Sequence, residues 1–135
     1  MNHATEAPGV PASAVTFDSP DLPRWLESAT DDDLDGLPFG LIALNPDASV
    51  AWYNKAEARL SGLTPGRMLG RQFFTSVAPC TNNFMVAHRF ETEPDLDAII
   101  DYVFTVRLAP LKVRLRLLKR QGSARWYLAV TPRGE

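Results

Sequence analysis

Cysteine occurs once in this chain, at Cys80. A disulfide framework needs pairs and a cysteine-built metal site needs several thiolates, so both are excluded. Histidine is nearly as scarce. His3 and His88 are far apart, which argues against a histidine-built metal centre. No apolar run approaches the ~20 residues of a membrane span. No basic-then-apolar leader opens the sequence, so the expectation is a cytoplasmic protein without membrane association. An excess of positive charge is also missing. With 14 basic and 16 acidic residues and a net charge of -2, the chain is not one that binds nucleic acid through phosphates. What remains is 135 residues, 45% hydrophobic and 22% charged, enough for one domain with a true core and too few for two.

The charges are unevenly placed. Residues 1–35 carry Glu6, Asp18, Asp21, Glu27, Asp31, Asp32, Asp33 and Asp35 against Arg24 alone. Residues 107–135 carry Arg107, Lys112, Arg114, Arg116, Lys119, Arg120, Arg125 and Arg133 against Glu135 alone. This opposition fits either two solvated faces or an acidic segment folded back onto a basic sheet. Phe17, Leu22, Trp25 and Leu26 give that segment something apolar to bury. Pro8, Pro11, Pro20 and Pro23 limit it to short helices and turns.

From Gly36 the texture changes. Residues 37–44 read as a short apolar strand, "NPDAS" as a turn, and "VAWY" as the returning strand of a hairpin. Asn54 is placed to cap a helix, with Glu57 three residues on in capping-box position and Gly62 beyond the end. Thr64-Pro65 starts a second short helix that Gly70 can stop. After the apolar stretch "QFFTSVAPC", which Pro79 interrupts, a helix is expected over 84–91. Strands are expected over 102–108, 112–119 and 126–131. In the middle one, Val113, Leu115 and Leu117 alternate with Lys112, Arg114 and Arg116, the pattern of a strand with one wet face. Two strands, several short helices and three strands make an α+β order with a central antiparallel five-stranded sheet.

The run "GLIALNPDASVAWYNKAEARLSGLTPGRMLG" resembles the first half of a PAS domain. "QFFTSVAPCTNNF", combined with Tyr53, Glu57 and Ser61 upstream, resembles the photoactive yellow proteins, PAS-fold blue-light receptors. The similarity runs from about residue 34 to 130. It implies a PAS photosensory core over 36–135, and the charge opposition together with Trp25 and Leu26 makes residues 1–35 the expected N-terminal helical cap.

On the residues alone, Cys80 reads as an inert buried hydrophobe, which a lone cysteine most often is. The resemblance makes it the attachment site of 4-hydroxycinnamic acid (p-coumaric acid), held as a thioester. Glu57 can be a surface capping-box residue or a buried neutral acid. The resemblance implies the second: a donor of a hydrogen bond, and after light of a proton, to the chromophore phenolate. It makes Tyr53 the other donor and Ser61 the hydroxyl that orients Tyr53, where relatives carry threonine. Ile42, Leu63, Phe73, Val77, Ala78, Pro79, Phe104 and Leu108 are implied as pocket lining. Leu63 stands where an arginine is typical, and Leu108 where better-known members have a methionine that assists thermal return. These departures bear on solvent shielding and dark recovery.

The function implied is photoreception, not catalysis. Isomerisation would be followed by partial unfolding that signals to an unidentified downstream protein, from a monomer or weak dimer. A PAS module without chromophore, serving protein contacts or small-ligand sensing, is the alternative. An acyl-cysteine enzyme fits poorly, because His88 falls in a different expected element from Cys80.

Overall fold

Alternation along 112–119 puts Val113, Leu115 and Leu117 on one face of a strand, and none of the three has exposed surface. The computed structural model describes residues 9–105 and 110–133. Its strands are β1 (Gly40–Leu44), β2 (Val50–Tyr53), β3 (Leu96–Phe104), β4 (Leu111–Lys119) and β5 (Trp126–Pro132). They form one antiparallel sheet in the order β2-β1-β5-β4-β3. The first and last strands of the sequence thus meet in the middle, with Ile42 opposite Leu128. β1 is buried along its whole length, which accounts for its unbroken apolar run.

Short helices surround the sheet: α1 (Leu22–Glu27), α2 (Asp31–Asp35), α3 (Lys55–Ser61), α4 (Pro65–Met68) and α5 (Ala87–Thr92). Between α4 and α5 lie one π-helical turn (Phe73–Val77) and one 3-10 turn (Pro79–Thr81). Gly62 ends α3 at φ 78°, the left-handed conformation that only glycine adopts without cost. Among the described residues, no helix is long and apolar enough to cross a membrane.

Two elements differ from the sequence expectation. β3 begins at Leu96, not at residue 102, and α5 begins at Ala87, not at 84. In β3, Leu96, Ala98, Ile100, Tyr102 and Phe104 turn inward while Asp97, Ile99, Asp101 and Val103 are exposed. The aspartates that disguise the strand all sit on its wet side. Ahead of α5, Asn83 Oδ1 accepts hydrogen bonds from Met85 N and Val86 N and holds residues 84–86 in a turn.

The third difference concerns the face expected to be wet. Arg116 is only 5% exposed. Residues 15–37 lie across that face, and Val15, Phe17, Leu22, Trp25, Leu26 and Leu34 bury a second core against Leu41, Leu118 and Ala129. Arg116 donates to the carbonyls of Phe17 and Ser19 and pairs with Asp97 at 2.9 Å. Arg114–Asp18, Arg120–Glu27 and Arg125–Asp31 are further ionic contacts of the acidic segment, the first with β4 and the other two with the turn that joins β4 to β5.

These contacts are unequal. Arg120 and Glu27 are each about half exposed, and such pairs contribute under about 1 kcal/mol. Arg116 satisfies the buried carbonyl of Phe17, and its loss orphans that group at a cost of roughly 1–3 kcal/mol, whereas Ser19 O keeps the hydrogen bond from Leu22 N. Arg116→Ala is therefore expected to lower stability by about that amount and to open residues 17–19 to hydrogen exchange. Arg120→Ala should do neither. Urea unfolding with exchange mapping checks both.

Candidate functional site

Asn54 caps α3 as its sequence position predicts, with Oδ1 accepting from Glu57 N at 2.9 Å. The reciprocal half of a capping box is absent. Asn54 and Glu57 have no exposed surface, and the Glu57 side chain lies inside the protein. The surface capping-box reading of Glu57 therefore does not hold. Asn54 also accepts from Leu41 N and donates to Leu34 O and Phe39 O, so every polar position of its amide is engaged.

The chain turns directly from β2 into α3, which brings Tyr53 at the strand end against Glu57 and Ser61 one helical turn apart. Tyr53 Oη lies 2.8 Å from Ser61 Oγ and 3.5 Å from Glu57 Oε2, the second at the outer limit of a hydrogen bond. Leu63 N donates to Ser61 Oγ at 3.2 Å. Glu57 Oε1 is buried and has no hydrogen-bond partner among the described residues. Burial pushes the Glu57 carboxyl up to about 8, against a smaller opposing effect of the Tyr53 hydrogen bond. Burial, then the adjacent Glu57 carboxyl, raises the Tyr53 phenol well above its ordinary value. Both groups are held in their protonated, donating forms near neutral pH.

Cys80 sits in the 3-10 turn and is half-buried at the edge of the main core. Its Sγ accepts from Thr105 N at 3.4 Å. Tyr102 Oη donates to the Cys80 carbonyl, and Asn83 Nδ2 donates both to that carbonyl at 3.2 Å and to Tyr102 Oη at 2.6 Å. Tyr102's part in this clamp on the main chain at Cys80 has no local signal in the sequence. The two residues are far apart along the chain, and only the inward phase of β3 could have pointed to Tyr102.

Ile42, Tyr53, Phe73, Val77, Ala78 and Phe104 belong to one buried cluster, with Leu63 and Cys80 packed against it. Pro79 departs from its expected pocket-lining role. It is exposed, because it occupies the first position of the 3-10 turn, where the absent N–H costs nothing and the ring faces outward. Leu108 lies outside the described residues. His88 is exposed, with its ring against Phe84 at 4.8 Å.

This arrangement suits a ligand with an anionic or strongly accepting oxygen. Two buried protonated groups lie side by side, and with the carboxyl proton on Oε1 the unpartnered oxygen is a donor whose deficit such a ligand would remove. The donor chemistry of Tyr53 and Glu57 suits a phenolate-bearing group of the hydroxycinnamoyl kind.

Comparison with known proteins agrees with the fold. A PAS-fold family model matches residues 34–128. The photoactive yellow protein of Halochromatium salexigens is 35% identical over 108 residues, covering 78% of this chain and 86% of that protein. That of Rhodothalassium salexigens is 31% identical over 116 residues, covering 83% and 93%. Among solved structures, the photoactive yellow protein domain of a sensor histidine kinase from Rhodospirillum centenum superposes with a TM-score of 0.72 at 35% identity. That match covers 82% of this chain and 99% of that domain. On this evidence the chain belongs to the photoactive yellow protein family of PAS-fold proteins.

Proposed function

We propose that this chain is a blue-light receptor carrying 4-hydroxycinnamic acid as a thioester on Cys80. The observation that carries the reading is the fully buried carboxyl of Glu57, unpartnered at Oε1 and set beside Tyr53, in a member of this family. When bound, the group supplies absorption of blue light and a double bond that can isomerise. The rest is the work of the chain's own residues.

Tyr53 and Glu57 present hydrogen-bond donors to the phenolate oxygen, and the apolar cluster around Ile42, Phe73 and Phe104 excludes water, which strengthens those bonds. Ser61 orients the Tyr53 hydroxyl. Glu57 holds a transferable proton in the dark. Once that proton leaves, a carboxylate remains in an apolar site, at a cost of several kcal/mol. That cost is comparable with the stability of a small domain, so weakly held structure loosens. Asn54 bonds both Glu57 N and Leu34 O, so displacement at α3 is felt directly in α2. Residues 1–35 then act as a releasable cap over the core of 36–135, and release exposes a surface for a downstream signalling protein.

Cys80→Ala should abolish covalent pigment and leave a folded PAS domain. Wild-type holoprotein should be yellow, and its intact mass should exceed that of the apo chain by one hydroxycinnamoyl group. Pigment still bound to the alanine variant after denaturation would refute the attachment.

Glu57 also generates a pH dependence. Its carboxyl titrates at about 8 in the folded chain and ordinarily at 4.5. Between these values the folded state holds a proton that the unfolded chain has released, so stability falls as pH rises through this window and levels off above it. The total loss is on the order of 5 kcal/mol. Urea unfolding of the apo chain should show this slope, and Glu57→Gln should flatten it.

A further inference from the structure

Gly40 opens β1 opposite Val130 of β5 and is buried. Its φ is not positive, since Gly62, Gly70 and Gly122 are the described glycines with positive φ. The backbone conformation therefore gives no reason for a glycine at 40. The space around it does. A Cβ built on Gly40 would lie 2.1 Å from Glu57 Oε1, 3.2 Å from the Glu57 carboxyl carbon and 3.3 Å from the Glu57 Cα. The first distance is impossible for real atoms. The last means that turning the side chain aside would still leave the α3 backbone tight.

The two residues cannot easily separate. Asn54 donates to the carbonyl of residue 39, accepts from the amide of residue 41 and accepts from Glu57 N. One buried amide thus holds Gly40 from both sides against the first turn of α3. The oxygen a Cβ would strike is also the one without a partner. We infer that Gly40 is a positioning residue for Glu57: the missing side chain makes the room in which the carboxyl lies, and thereby keeps it beside Tyr53.

This inference rests on Glu57 being the internal acid of the proposed receptor. Its test uses the full chain without pigment, so the two claims can fail separately. Gly40→Ala should lower the folding equilibrium constant by about tenfold or more in the presence of Glu57. In a Glu57→Ala background the same change should cost under about threefold, because the coupling between neighbours is then removed. Glu57→Asp, one methylene shorter, should restore part of the loss in Gly40→Ala. Infrared spectroscopy gives the readout a purely structural role would not move. The carboxylic C=O band of Glu57 should shift in Gly40→Ala, and its titration midpoint should change by about one pH unit. Should Gly40→Ala fail to fold, a folded Gly40→Ala/Glu57→Ala double variant supports the inference, and an unfolded one overturns it. Equal losses in both backgrounds, or an unchanged band and midpoint, also overturn it. A wild-type chain that takes up no pigment refutes the proposed function and leaves this coupling standing.

Discussion

The side chain of Asn54 is fully buried and makes four hydrogen bonds to three stretches of backbone, and the site hangs from it. It accepts from Leu41 N in β1 and Glu57 N in α3, and it donates to Leu34 O in α2 and Phe39 O before β1. A buried amide left half-satisfied is costly, so these segments are held together or not at all. The consequence for Glu57 is burial without choice. The acid lies on the inward face of a helix whose first turn is pinned to the sheet, and its carboxyl is neutral because it is dry.

The sheet carries two different jobs on its two faces. One face, with Ile42, Leu115, Leu117 and Leu128, builds the core that surrounds Tyr53 and reaches Cys80. The other is basic and is covered by an acidic, proline-broken segment. Apolar residues of that segment supply most of the docking energy, and its ion pairs set orientation. Arg116 is the exception, since it grips backbone carbonyls rather than a solvated carboxylate alone. Asp35 ties the same segment to the site side by accepting from Trp52 Nε1 and Lys55 N. The segment and the buried acid are therefore mechanically close although they lie on opposite faces.

Much of this was legible locally. The hairpin of β1 and β2 followed from apolar runs around a turn cluster, and α3 from its asparagine cap and closing glycine. The strand alternation of β4 marked its inward residues correctly. What escaped was non-local. β3 hid behind aspartates whose wet side is defined only by the neighbouring strand. Alternation alone put Arg116 on the wet face, because the segment that covers it lies 97 to 99 residues earlier, and only the opposition of charges pointed to that cover. The Asn83–Tyr102 clamp on Cys80 exists only once the 3-10 turn meets β3. Glu57 is the instructive case. Local pattern offered a surface cap, and only family resemblance pointed inward before the fold was seen.

The central claim is that the buried, protonated carboxyl of Glu57 is the proton store of a light-driven response. A light-minus-dark infrared difference spectrum of the pigmented protein tests it most directly, with Glu57→Gln as the assignment control. The account predicts a carboxylic C=O band present in the dark, lost in the light, and missing altogether from the Glu57→Gln spectrum. A dark state without that band, or a light-sensitive band that persists in Glu57→Gln, would contradict it.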